Sequence, residues 1–219
     1  MNRFRQMLAS PAKDRPVLDA AMSTSETVID VLMKDEVVAA IPVFGIALKT
    51  VKALDSIRDQ MFAAKLHQFI VQAEIMSKED RLATAQKLMA DEEGRKTAET
   101  LLMVLDRITD LDKPALLGVL FIHFGAGRLT TSEFRRLATA IDAAFSDDLA
   151  TFLNEPAITL DSDRMASHRE SLLSAGLTRA LPVNDLYNLG LVNYRVTPSG
   201  KLLHTLVNTK VIADPEPMS

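Results

Sequence analysis

The chain has 219 residues, of which 47% are hydrophobic and 25% are charged, and its formal net charge is −4. These values are typical of an ordinary globular protein with enough apolar residues for one larger or two small domains. The negative net charge gives no global attraction to nucleic acid, so any such binding would need a local basic patch. The chain has no cysteine, which excludes disulfide bonds, thiolate metal sites and cysteine nucleophiles.

The N-terminal part of the chain predicts a loose arm followed by a helix. Residues 1–23 contain Pro11, Pro16 and mixed charges, and we interpret them as an N-terminal arm. Residues 23–26 match a capping box, so a helix is expected to begin near Thr24. Pro42 should end or kink the helical segment before it and hold Ile41 in an extended conformation.

A charge-free run at residues 37–48 surrounds this proline. The run is shorter than the ~20 residues that a transmembrane helix needs, and no apolar stretch of signal-peptide length follows the N-terminus. We interpret the run as part of a core or a subunit interface in a cytoplasmic protein, and peripheral membrane association is the alternative. The residues expected to make the membrane or oligomer contacts are Ile41, Val43, Phe44 and Leu48.

The strongest helical pattern begins directly after Pro42. Apolar residues recur at steps of three and four from Phe44 through Leu66 to Ile70, which predicts one face of a helix of about 30 residues. Further helices are expected after the N-cap residues Ser77 and Asp112 and after residues 130–133. Residues 116–124 are almost wholly apolar and should lie centrally in the core. The sequence therefore predicts a mainly α protein with a helical bundle over residues 24–155.

The last quarter of the chain changes character, with short β-branched runs near residues 177–182 and 191–196. Asp161 and Asp163 are expected to cap a helix that continues to Ala175. Residues 172–177 (Leu-Leu-Ser-Ala-Gly-Leu) and 194–200 (Tyr-Arg-Val-Thr-Pro-Ser-Gly) then resemble the segments that lead into and out of the hairpin of winged-helix domains. This resemblance implies a small winged-helix-like domain with a short β-hairpin at residues 156–210. We expect residues 211–219 to form a disordered tail.

A winged helix raises the question of DNA binding. Residues 161–210 contain six Lys or Arg and four Asp or Glu, a slight basic excess, whereas phosphate contacts dominate DNA affinity and would need more. A domain used for protein contacts is therefore the favoured hypothesis, and a DNA-binding transcriptional regulator is the alternative. The candidate nucleic-acid contacts are Arg164, Arg169, Arg179 and Arg195.

The sequence contains no recognisable catalytic or cofactor motif. His67, His123, His168 and His204 are far apart and lack the spacing of a metal-binding pair. The glycines at residues 125–127 are not followed by the lysine of a phosphate-binding loop, and we interpret them as a helix stop. We therefore predict no enzyme activity, no cofactor and no metal site.

The order of segments is similar to that of a group of uncharacterised bacterial helical proteins. The similar segments are residues 41–49 (Ile-Pro-x-x-Gly…Lys), 56–69 (beginning Ser-Ile-Arg-Asp), 112–121, 134–149 and 194–202. The resemblance implies a bacterial origin and a helical fold, without an activity. Our leading hypothesis is a non-catalytic regulatory or interaction protein that binds a protein partner or a second copy of itself.

Overall fold

The computed structural model describes residues 30, 32–54, 57–182 and 192–209. This part of the chain is mainly helical and contains one antiparallel hairpin. The helices are α1 (Glu36–Ala40), α2 (Pro42–Leu54), α3 (Ile57–Ala73), α4 (Lys78–Met89), α5 (Glu92–Arg107), α6 (Lys113–Gly125), α7 (Thr131–Ala143), α8 (Ser146–Leu153), α9 (Ser167–Ser171) and α10 (Pro198–Asn208). A 3₁₀ turn (Ala157–Thr159) precedes α9, and the strands are β1 (Thr178–Pro182) and β2 (Val192–Val196).

These elements confirm the predicted fold class, a mainly α protein with a short hairpin near the C-terminus. The predicted arm at residues 1–23, the helix start near Thr24 and the tail at residues 211–219 lie outside the described residues. The pattern expected to form one long helix is divided between α2 and α3, and residues 55 and 56 between them also lie outside the description.

The described residues form two compact units that divide within α7. The bundle unit comprises the described residues up to 135, and the hairpin unit comprises residues 136–182 and 192–208. This division lies upstream of the predicted domain boundary at residue 156, which stays a prediction. The helix α8 packs against α9 and α10 of the hairpin unit.

Pro42 separates α1 from α2, as the sequence predicts. Ile41 has a φ of −111° and a ψ of 93°, which is the extended conformation expected before a proline. Asp35 begins α1 by accepting hydrogen bonds from the backbone N–H groups of Val37 and Val38, at 2.8 and 3.2 Å. The turn directs Ile41 into the interior, where its side chain is fully buried.

The core of the bundle unit centres on α3 and α6. Residues 113–124 of α6 are all buried, which confirms the central position expected for this apolar segment. Gly118 allows a close approach, because a Cβ at this position would lie 2.6 Å from the Cβ of Gln72 on α3. Phe69 on α3 makes edge-to-face contacts with Phe44 and Phe121, at centroid separations of 6.1 and 5.4 Å.

Several predicted caps of the helices are present. Ser77 accepts a hydrogen bond from the N–H of Asp80 at the start of α4. Thr130 and Glu133 form the reciprocal pair of a capping box, in which the Glu133 N–H donates to Thr130 Oγ1 and the Thr130 N–H donates to Glu133. Thr197 caps α10 in the hairpin unit by accepting from the Gly200 N–H at 3.1 Å. Local sequence therefore accounts for where these helices begin.

The helix predicted for residues 161–175 is much shorter in the structure. The helix α9 covers only Ser167–Ser171, and Arg164 lies in an extended segment that bridges to Tyr194 on β2. Asp161 and Asp163 do not cap a helix, since their carboxylates accept hydrogen bonds from Lys201 and Arg195. Long-range ion pairs thus replace the local capping expected from the sequence.

Candidate contact surface of the hairpin unit

The exposed face of the hairpin is built by the register of its strands. β1 and β2 are antiparallel with Arg179 opposite Arg195, and the bridge between Arg164 and Tyr194 adds a further extended segment beside β2. Side chains alternate between the two faces of a strand, so that Arg179 and Arg195 share one face and Tyr194 points to the other. Tyr194 is buried, whereas Arg179 is exposed. The two arginines therefore lie together on the outer face.

Asp163 neutralises part of this basic face. The Nε and Nη2 atoms of Arg195 donate to the two carboxylate oxygens of Asp163, both at 2.7 Å. This fork geometry suits a carboxylate and gives a stronger pair than a single contact. The hydrogen bond from Arg195 lowers the pKa of Asp163, and the same bond raises the pKa of Arg195. Attraction by Arg179 adds to this lowering of the Asp163 pKa, so both arginines act on the same carboxylate.

Arg169 is not a surface residue, and its predicted role in nucleic-acid contact is wrong. Its side chain is 0% exposed and lies inside the hairpin unit. Its guanidinium donates to the carboxylate of Glu155 at 3.0 and 2.5 Å and to the backbone carbonyls of Thr159, Ser162 and Tyr194 at 2.8, 2.7 and 3.2 Å. A guanidinium with these partners ties the segment after α8 to β2 and has no route to a phosphate.

Glu155 is the anion at the centre of this buried cluster. Its carboxylate accepts hydrogen bonds from Arg169, from His168 at 2.6 Å and from Thr159 at 2.9 Å. Its backbone carbonyl lies 2.9 Å from Nε2 of His204 on α10. Burial alone would raise the pKa of Glu155, but the hydrogen bonds from Arg169, His168 and Thr159 outweigh it and lower the pKa to about 2. The carboxylate is therefore ionised wherever the unit is folded near neutral pH.

Acid should weaken the hairpin unit through Glu155. A carboxyl group with a depressed pKa stabilises the folded state fully above its unfolded pKa, ~4.3, and loses this contribution as the pH falls toward its folded value of about 2. We expect hydrogen exchange in β2 to accelerate between pH 5 and pH 2 more in the wild type than in Glu155→Gln. After correction for the intrinsic exchange rate, equal pH dependence in both proteins would contradict this role.

Of the other predicted nucleic-acid contacts, Arg164 and Arg179 have exposed side chains. The Nε atom of Arg164 donates to the hydroxyl of Ser162 at 3.1 Å. Arg164 belongs to the extended segment and not to a recognition helix, so the predicted arrangement of Arg164 and Arg169 on one helix is wrong. Arg179 and Arg195 are the candidate contacts that the structure places opposite each other on the hairpin.

The residues predicted to contact a membrane or another subunit lie in the bundle unit. Ile41, Phe44 and Leu48 are each 0% exposed, so they pack inside the bundle unit and the expectation of a lipid or subunit contact is wrong for them. The side chain of Val43 lies outside the described part of the structure. No helix in the described ranges combines the length and apolar character needed to cross a membrane.

Exposed apolar side chains of the hairpin unit were missed by the sequence interpretation. Ile158 is 88% exposed, Phe145 is 62% exposed and Met165 is 58% exposed, and Leu173 is also exposed. Phe145 lies at the boundary before α8. Sequence could have suggested only Ile158, because Pro156 and Thr159 around it favour a surface turn.

Neither chemistry nor similarity assigns an activity to this surface. Within the described residues, no group of three His, Asp or Glu side chains could hold a metal ion. Comparison with protein-family models, curated proteins and solved structures found no match. The resemblances to winged-helix domains and to bacterial proteins therefore stay predictions, and functional inference depends on the geometry above.

Proposed function

We propose that the chain is a non-catalytic regulatory protein that binds a partner protein through exposed apolar side chains of a winged-helix-like hairpin unit. The supporting observation is that three basic side chains of this unit are buried or paired, whereas several of its apolar side chains are exposed. Arg169 is internal, and Arg195 and Lys201 are paired with Asp163 and Asp161. Protein interfaces combine exposed apolar anchors with a mixed-charge rim, and this unit offers both.

The apolar anchors come from three parts of the hairpin unit. Phe145 precedes α8, Ile158 lies in the 3₁₀ turn, and Met165 lies in the extended segment beside β2. Aromatic and Met side chains are enriched in protein interfaces relative to the rest of a protein surface. The absence of cysteine from the sequence fits the reducing cytoplasm of a bacterium, which we propose as the location.

DNA binding is the second candidate function, and one observation favours it. Arg179 lies directly opposite Arg195 on the outer face of the hairpin, where both could approach phosphates. Against it, the short α9 carries Arg169 inward, so this helix cannot use that residue to read bases. The balance of paired charges leaves few cations for the electrostatic part of DNA affinity.

The two candidates are separated by comparing variants of the full chain. For protein binding, we expect Ile158→Asp and Met165→Asp to abolish retention of one or more bacterial proteins that the immobilised wild type retains, as quantified by mass spectrometry. Met103→Asp is the matched control, because Met103 is 59% exposed but belongs to the bundle unit. Retention that is identical in all four proteins would contradict the proposal.

For DNA binding, anisotropy of a labelled random-sequence duplex supplies the measurement. We expect no binding at physiological salt beyond the weak non-specific range of ~10⁻⁴ to 10⁻⁶ M. Tighter binding that Arg179→Ala weakens and added salt abolishes would favour the second candidate over the first.

A further inference from the structure

The basic side chains of the hairpin unit come from several of its elements. Within residues 161–182 and 192–208 they are Arg164, Arg169, Arg179, Arg195 and Lys201. Arg169 is buried, whereas the other four lie at least partly at the surface, on the extended segment, the two strands and α10. A nucleic-acid backbone is the kind of ligand that such a spread suits, because its phosphates form a row of charges that Lys and Arg side chains contact.

A short acidic segment, residues 161–163, pairs with two of these cations. Asp161 accepts a hydrogen bond from Nζ of Lys201 on α10. Asp163 accepts from Nε and Nη2 of Arg195 on β2, both at 2.7 Å. This forked contact uses the donors that Arg195 would otherwise offer to a phosphate. The acidic segment therefore places one carboxylate on each of two cations that belong to different elements.

The acidic segment is held in place by contacts that do not involve its carboxylates. Arg164, the next residue, exchanges backbone hydrogen bonds with Tyr194 on β2 at 3.3 and 2.8 Å. The carbonyl of Ser162 accepts from the buried Arg169 at 2.7 Å, and its hydroxyl donates to the carbonyl of Thr159 at 2.7 Å. Asparagine can therefore replace either aspartate while the segment stays beside β2.

Exposure decides what the two ion pairs contribute. The side chains of Asp161 and Lys201 are 80% and 43% exposed, and those of Asp163 and Arg195 are 31% and 42% exposed. Ion pairs at such positions contribute little to the free energy of unfolding, because water and salt screen them. They still cancel charge in the field that an approaching ligand meets. Their main consequence is thus for ligand binding and not for stability.

We propose that the acidic segment determines the ligand specificity of the hairpin unit, because its two carboxylates mask Arg195 and Lys201 from the phosphates of nucleic acid. Once unmasked, these two cations would be available to a phosphate backbone together with the exposed Arg179, which lies opposite Arg195. The inference goes beyond the proposed function, since it concerns a ligand that the unit excludes and not the partner that it binds.

The test compares the full-length wild type with the double variant Asp161→Asn and Asp163→Asn, using anisotropy of a labelled random-sequence DNA duplex at physiological salt. We expect the double variant to bind the duplex at least about tenfold more tightly, because each freed cation adds a phosphate contact. The slope of log affinity against log salt should steepen by about 0.9 for each new contact. An affinity that does not rise would overturn the proposal.

Two controls separate the mask from a general effect of charge. Asp147→Asn with Asp148→Asn raises the net charge of the same unit equally, at the start of α8, and should change the affinity less than about twofold. Adding Arg195→Gln and Lys201→Gln to the first double variant should remove its gain. A gain that is equal in the α8 variant, or that persists without the two cations, would overturn the proposal.

A single variant keeps the test valid if the double variant fails to fold. Asp161→Asn changes a side chain that is 80% exposed, so it preserves the fold and should by itself strengthen duplex binding about fivefold. Unchanged affinity in this variant would overturn the mask at Lys201.

A polyglutamate peptide tests the class of ligand that is excluded. We expect the double variant to bind the duplex more tightly than this peptide. The reverse order would show that the carboxylates exclude acidic proteins, and would overturn the assignment to nucleic acid. Because no partner protein is present, these measurements can fail independently of the retention experiment that tests the proposed function.

Discussion

Replacing Arg169 with alanine is expected to destabilise the hairpin unit by about 3–5 kcal/mol, the usual cost of removing one partner from a buried ion pair. The side chain is 0% exposed and donates to Glu155 and three backbone carbonyls. Its loss leaves a buried carboxylate and these carbonyls without their donor. Hydrogen exchange of the amides in β1 and β2 measures the effect separately from the bundle unit.

The matched control is Arg179→Ala, which removes an exposed guanidinium from the same unit. Surface substitutions of this kind change stability by about 0.5 kcal/mol or less. The double variant Arg169→Met with Glu155→Leu should recover much of the loss, because an apolar pair avoids the cost of burying charges. Exchange in β1 and β2 that does not change in Arg169→Ala would show that the cluster does not support the hairpin.

Phe69→Ala is expected to destabilise the bundle unit by about 3–5 kcal/mol, the range for truncating a buried aromatic side chain. Phe69 is 0% exposed and contacts the rings of Phe44 on α2 and Phe121 on α6. Its removal would open a cavity among three helices and lose two edge-to-face contacts. Hydrogen exchange in residues 116–124 of α6, or the midpoint of denaturant unfolding of that unit, provides the measurement.

Ile57→Ala is the control for Phe69→Ala, because Ile57 lies on the same helix α3 but is 78% exposed. Alanine is at least as favourable as isoleucine in a helix, so this change should alter stability by less than about 0.5 kcal/mol. Similar losses in both variants would mean that the edge-to-face contacts of Phe69 do not organise the unit.

Several local features follow from the sequence because their causes are local. Pro42 lacks an N–H group and restricts the preceding residue, which explains the extended Ile41 between α1 and α2. The capping box of Thr130 and Glu133 involves residues three positions apart. Because the residues of α6 are almost all apolar, the sequence predicts burial on all sides of this helix, and residues 113–124 are all buried.

The same reasoning misplaced the side chains whose partners are distant in sequence. Asp163 has the residue type and position of an N-cap, but its carboxylate pairs with Arg195 on β2. Arg169 has the residue type of a phosphate contact, but Glu155 and three carbonyls surround it.

The sequence by itself determined the helical class, the hairpin and the positions of several helix ends, because hydrophobic periodicity and capping act over a few residues. The tertiary structure alone decided whether an arginine faces solvent or the interior, and which apolar residues stay exposed. These outcomes depend on contacts between different segments of the chain. The ion pair of Glu155 with Arg169, for example, joins residues on either side of the 3₁₀ turn before α9.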